Sequence, residues 1–149
     1  MFGRTIECGT VGGGTLQLIP IRADHLVALT GWLNDAEVTR HMDAPFARTL
    51  EMEQEWYRQG SVDPNVYRWS IVYGDRHVGQ AGINDIHWIN RVGSVTVLIG
   101  DSGCWGRGLG TAVFRAQAFA EDLRTYFMSC GECISIPKLK SVTSQSQTL

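Results

Sequence analysis

The stretch Ile99-Gly100-Asp101-Ser102-Gly103-Cys104-Trp105-Gly106-Arg107-Gly108-Leu109-Gly110-Thr111-Ala112 concentrates the chemical options of this chain. Gly106, Gly108 and Gly110 stand at alternate positions, and a bend built from them turns several backbone N–H groups toward one point. A helix that begins directly after such a bend adds its own unpaired N–H groups and the positive end of its dipole. The combination attracts phosphate, and the stretch reads as a pyrophosphate cradle. Arg107 can either pair a phosphate oxygen or face solvent.

What the cradle lacks narrows its ligand. A nucleoside-triphosphate loop needs Gly-x-x-x-x-Gly-Lys-Ser/Thr. Gly103 to Gly108 has the gap, but Leu109 and Gly110 follow, so lysine and magnesium-binding hydroxyl are both missing. A dinucleotide fingerprint needs Gly-x-Gly-x-x-Gly inside a βαβ unit. Here the glycines run Gly106-x-Gly108-x-Gly110 behind what reads as an antiparallel meander, so a nucleotide-dependent oxidoreductase ranks last.

The cysteines offer less. Cys130 and Cys133 have the spacing of half a zinc site or a redox pair, yet no second close Cys/His pair follows. They read as incidental thiols, and no metal is expected. Cys104 reads as a small filler of the loop. The net charge of −2 gives no broad basic surface for nucleic acid. No apolar run approaches a membrane span, and the first residues lack the apolar core of a secretion signal. The expectation is a cytoplasmic protein bound to neither nucleic acid nor membrane.

The elements that must position the cradle are legible around it. Val95, Val97 and Ile99 alternate with Ser94, Thr96 and Leu98, a mostly buried strand. Leu109, Val113, Ala116, Ala120, Leu123 and Phe127 recur at helical spacing after the loop. Upstream, 15–21 reads as a strand. Asp24 can cap a helix carrying Leu26, Leu29, Trp32 and Leu33 inward, and Asp35 a short helix through Met42. Thr49 can cap another, with Glu51 and Glu53 near its positive end and Met52 and Trp56 on one face. Residues 66–73 alternate with Tyr67, Trp69, Ile71 and Tyr73 on one side, and 77–86 completes the meander. Trp32, Trp56 and Trp69 suit either core or the walls of a cleft. At 149 residues the chain suits one domain with a real core. Residues 1–14 read as a flexible segment, with Val11-Gly12-Gly13-Gly14 a flexible joint and the stretch before it either a loose strand or disordered, 15–127 as the folded domain, and the polar run within 128–149 as a disordered tail.

The loop Trp105-Gly106-Arg107-Gly108-Leu109-Gly110-Thr111 resembles the pyrophosphate loop of the GNAT superfamily of N-acetyltransferases. It is most similar to the branch that holds ribosomal-protein, spermidine and aminoglycoside acetyltransferases. The likeness extends to Leu16-Gln17-Leu18-Ile19-Pro20-Ile21, to the run from Trp32 to Met42, and to Val78-Gly79-Gln80-Ala81-Gly82-Ile83, in the order the family uses. It covers residues 15–127. The resemblance implies an α/β (α+β) fold: a mixed, mainly antiparallel sheet with helices on both sides. The family's last strands have no match in 128–149, which implies that they are missing or altered, as in a truncated or diverged form.

The resemblance also implies the chemistry. Acetyl-CoA is the cosubstrate, and the acceptor is a primary amine of a small molecule or a protein, which attacks the thioester directly. Rate comes from holding the two together and polarising the carbonyl. The cofactor-binding residues so implied are Val97, Leu98 and Ile99, through their backbone, and Trp105, Gly106, Arg107, Gly108, Leu109, Gly110 and Thr111. Relatives place a glutamate base early in the fourth strand, where this chain has Ser94. Asp85 and His87 on the preceding strand are the nearest replacements. Ala112 stands where the branch commonly has Glu. An alternative follows from these departures: an impaired module that binds acyl-CoA or a partner chain without turnover. An open sheet edge would favour a homodimer.

Overall fold

A computed structural model describes residues 3–40, 42 and 47–118. Among them, five strands form one antiparallel sheet in the order β1-β2-β3-β4-β5. The strands are β1 (Ile6–Val11), β2 (Gly14–Pro20), β3 (Tyr67–Tyr73), β4 (Arg76–His87) and β5 (Val92–Ile99). Helices α1 (Leu26–Leu33) and α2 (Leu50–Val62) lie between β2 and β3, and α3 (Leu109–Ala118) follows β5.

Strand periodicity sorts the side chains onto two faces. Leu18, Trp69, Ile71, Ala81, Val97 and Ile99 pack with Leu109 and Val113 of α3 in one apolar cluster. The opposite face carries Leu98, which joins Leu26 and Leu29 of α1, Ile21 and Val38 in a second cluster. Trp105, in the loop, touches both clusters. The sheet is therefore covered on both sides, as the resemblance implied.

Local chemistry explains the boundaries. The Thr49 hydroxyl accepts the Met52 N–H at 3.2 Å and caps α2, with Glu51 and Glu53 in its first turn. Met52 is nevertheless 42% exposed, while Glu53 is buried. Glu53 turns inward because Arg48 meets it at 2.6 Å, so the buried face of α2 is set by an ion pair that apolar periodicity does not register. Helix α1 is entered through a short 3-10 turn, Ala23–His25, and Asp24 pairs with Arg22 instead of capping it. The short helix expected from Asp35 is a series of turns, in which the Asp35 carboxylate accepts the Glu37 N–H at 2.8 Å.

The largest difference lies at the start. Residues 6–11 are not a flexible lead but a strand paired with β2, from Ile6 opposite Leu18 to Val11 opposite Gly14. Gly12 and Gly13 both take positive φ, 56° and 87°. That pair of conformations makes the tight two-residue turn that strand twist favours, so the glycine run closes a hairpin. Further upstream, the Trp69 indole N–H donates to the Arg4 carbonyl at 2.9 Å. The Cys130/Cys133 pair, the helical positions beyond 118, the final strands and the tail lie outside the described residues.

Candidate functional site

The glycine loop joins β5 to α3 and has the geometry of a cradle. Asp101 opens it by accepting the Gly103 N–H at 3.0 Å, and Arg76 pairs with the same carboxylate. Gly106 and Gly108 adopt φ of 74° and 80°, a region costly for other residues. Among the described residues, a β-carbon at either would meet nothing within 4 Å. Leu109 begins α3 and is buried, which anchors the helix start. The first intrahelical bond runs from Ala112 N–H to Gly108 C=O at 3.2 Å. The N–H groups of Leu109, Gly110 and Thr111 therefore precede any helical acceptor. Arg107 and Gly108 are exposed.

Beside the loop runs the outer edge of β5, with no strand paired to it among the described residues. Gly100 N–H donates to Val78 C=O at 2.9 Å. In an antiparallel ladder with Gln80 opposite Leu98 and Gly82 opposite Thr96, this makes those the hydrogen-bonded pairs. Leu98 therefore spends its backbone on β4. Val95, Val97 and Ile99 turn theirs to the free edge. The Trp105 indole N–H already occupies the Ile99 carbonyl at 2.8 Å, tying the loop to the strand end. Of the three strand residues implied by the resemblance, Val97 and Ile99 thus offer N–H groups outward, and Leu98 offers its side chain to the α1 side.

The two acid/base candidates occupy different places. Asp85 follows Asn84, the partner of Ser94, at a bulge in β4, and has φ of 52°. Bulges of this kind re-aim side chains beside active sites. Val97 lies three positions beyond Ser94, about 10 Å along the strand. His87 pairs with Val92 at the hairpin end, about 17 Å from Val97. Its Nδ1 accepts the Asn90 N–H at 3.2 Å, a contact within the hairpin turn.

The structure also assembles a polar group that sequence spacing could not reveal. His25 and His77 stack at 4.0 Å, and Trp32 lies 4.9 Å from His77. His25 Nδ1 is 2.7 Å from the Ser70 hydroxyl, and His77 Nε2 is 2.8 Å from the Gly79 carbonyl. Burial pushes His77 down to about 4, with the neighbouring His25 lowering it further. Trp32 packs against Gly100, where any side chain would overlap it. The cluster thus backs the junction of β5 and the loop. Deeper along the same face, the buried Arg68 guanidinium stacks 3.8 Å from the Trp56 ring and donates to the Trp56 carbonyl. Trp56 is therefore a brace for Arg68 and Trp69 is core, while Trp32 stands at the strand end. Burial raises the Cys8 thiol to about 11, which removes it as a nucleophile near neutrality.

Comparison with known proteins places this geometry. The model of the acetyltransferase (GNAT) domain matches residues 15–142. No curated protein sequence matches the chain. Among solved structures, spermidine N-acetyltransferase from Vibrio cholerae, in complex with CoA and spermine, superposes with a TM-score of 0.60 at 16% identity, over 70% of this chain and 63% of that one. A ribosomal L7/L12 alpha-N-protein acetyltransferase in complex with CoA gives 0.65 at 15% identity, over 78% and 66%. The microcin C7 self-immunity acetyltransferase, in complex with acetyl-CoA and AMP, gives 0.59 at 15%, over 72% and 63%. At these identities the likeness is one of fold. The chain spans slightly less than two thirds of each of these structures. Among the described residues, no helix is long and apolar enough to cross a membrane.

Proposed function

The chain belongs to the GNAT acetyltransferase family, and from that premise we propose that it transfers the acetyl group of acetyl-CoA to a primary amine. The observation that carries this reading is the juxtaposition of a glycine cradle, at Gly106 and Gly108, with the edge of β5 that no strand covers among the described residues. The residues fit the cosubstrate. The N–H groups around 106–111 and the start of α3 would hold the pyrophosphate, with Arg107 beside it. The edge backbone of β5 would pair with the pantetheine arm as an added strand. When bound, acetyl-CoA supplies an activated thioester. The N–H groups of Val97 and Ile99 suit the stabilisation of negative charge growing on the acyl oxygen. A carbon–nitrogen bond forms and the carbon–sulfur bond breaks, CoA leaves as a thiolate that takes a proton from solvent, and the amine proton must leave.

Asp85 is our candidate for that proton, reached through water from the acceptor. Its place beside the partner of Ser94 supports the assignment. The structural relatives include a spermidine N-acetyltransferase and a ribosomal L7/L12 alpha-N-protein acetyltransferase, which supports an amine of a polyamine or a protein N-terminus as acceptor. A screen of such amines with acetyl-CoA, read by release of free thiol, tests the reading. Turnover by the native chain, lowered at least tenfold in Asp85→Asn, is the expected result. Turnover unchanged in that variant would remove Asp85 from the mechanism. Failure of every amine, with acetyl-CoA still bound, would favour the second reading, a binding module without turnover, which the serine at position 94 supports.

A further inference from the structure

The hairpin made by β1 and β2 does more than close an edge of the sheet. Its turn reaches the glycine loop. A β-carbon on Gly12 would lie 3.1 Å from the Arg107 β-carbon and 3.4 Å from the Arg107 carbonyl oxygen. The turn therefore abuts the centre of the cradle, between Gly106 and Gly108. Something must hold a three-glycine turn in place, because glycine gives up more conformational freedom on ordering than other residues. Tyr73, the last residue of β3, supplies that hold. Its hydroxyl is 2.7 Å from the Val11 carbonyl and 2.9 Å from the Gly12 carbonyl, and its single proton serves both. Its ring lies on the backbone of Gly14, where a side chain would overlap it. One side chain thus fixes three of the four residues of the turn.

Resting on the assignment of the loop to acetyl-CoA, we propose that Tyr73 is a positioning residue for the cosubstrate: it clamps the Gly12–Gly13 turn against Arg107 and so sets the shape of the pyrophosphate cradle. Tyr73 acts at a distance, through the turn. Gly12 is required because a side chain there would push on Arg107 and because its φ of 56° disfavours one. α3 also packs against β1, which links the hairpin to the helix that ends the cradle.

Two measurements on the full chain test this. Acetyl-CoA affinity is read by calorimetry, and amide hydrogen exchange is read along the backbone of the free protein. Tyr73→Phe removes only the hydroxyl. It should weaken acetyl-CoA about fivefold, the scale of one lost hydrogen bond, and speed exchange at 105–111. Exchange at 67–71 and 79–83 should stay as in the native chain. Gly12→Val should give the same pattern by pressing on Arg107 directly. Unchanged affinity in both variants overturns the clamp while leaving the cradle assignment intact. Faster exchange throughout the sheet, with no preference for the loop, also overturns it, because the hydroxyl would then serve general stability. A native chain that binds no acetyl-CoA overturns the cradle assignment and the clamp with it.

Discussion

The two faces of this sheet are built by different chemistry. Under α3 the contacts are mostly apolar: Trp69, Ile71, Val97 and Ile99 meet Leu109 and Val113, and the buried Gln117 amide donates to the Gly82 carbonyl at 2.9 Å. Under α1 and α2 the sheet presents Arg68 and Ser70, both buried, and His77. The helices answer with His25 and the Trp56 carbonyl. Glu53, paired with Arg48, is buried on the same side. The dry face stabilises by removing area from water. The polar face holds only while its partners match, because each buried polar group left alone is costly. The loop that we assign to acetyl-CoA sits where the two meet, with Trp105 touching both clusters. A fold of this kind can anchor a cradle on the rigid face and tune it from the polar one.

This contrast can be broken at three points. The largest effect belongs to the dry face. Trp69 is 2% exposed and donates to the Arg4 carbonyl. Trp69→Ala should destabilise by about 3–5 kcal/mol, read by urea unfolding. On the polar face, Glu53→Gln keeps the shape but leaves Arg48 without its charge partner. A loss of about 3 kcal/mol is expected, the low end for a broken buried pair, since Arg48 is 33% exposed. A loss in Glu53→Gln larger than that in Trp69→Ala would reverse the ranking of the two faces.

The smallest effect sharpens the contrast through pH. His77 is depressed from 6.5 to about 4, first by burial and then by His25. His25 is lowered by its own burial, with Arg22 lowering it further and Asp24 opposing. The remaining groups against the stack are Trp32 of α1, the Ser70 hydroxyl and the Gly79 carbonyl, none of which titrates here. The unfolded chain therefore binds more protons than the folded one between about pH 4 and 6.5. Stability from this pair is complete above 6.5 and drains away as pH falls toward 4. Melting temperatures should drop by a few degrees between pH 7 and 5, and His77→Gln should flatten that slope. A native slope that persists unchanged in His77→Gln would place the titrating group elsewhere.

The dry face was readable in sequence because alternation at Tyr67, Trp69, Ile71 and Tyr73 states which side is inward. The same alternation puts Arg68 and Ser70 on the other side and does not say what covers them. It could not register that α2 would carry Gly60, whose lack of a side chain leaves room for the Arg68 guanidinium. His25 and His77 lie on separate elements, so no local spacing joins them. The cradle was legible for the opposite reason: its glycines, its strand and the start of its helix are contiguous. The hairpin turn was misread because three glycines in a row signal freedom, and only Tyr73, on a strand far along the chain, makes them a fixed turn. The Thr49 cap was legible and the inward turn of Glu53 was not, since Arg48 decides it by charge and not by periodicity.

The most direct test is calorimetric titration of the full chain with acetyl-CoA, beside NAD and beside the Gly108→Val variant. Gly108 has positive φ and no described residue crowds it, so valine there costs the fold about 1–2 kcal/mol while filling the phosphate's place. Saturable acetyl-CoA binding, no NAD binding, and loss of detectable affinity in a folded Gly108→Val variant are the predicted results. No binding by the folded native chain, or equal affinity in the variant, would contradict the assignment of this loop.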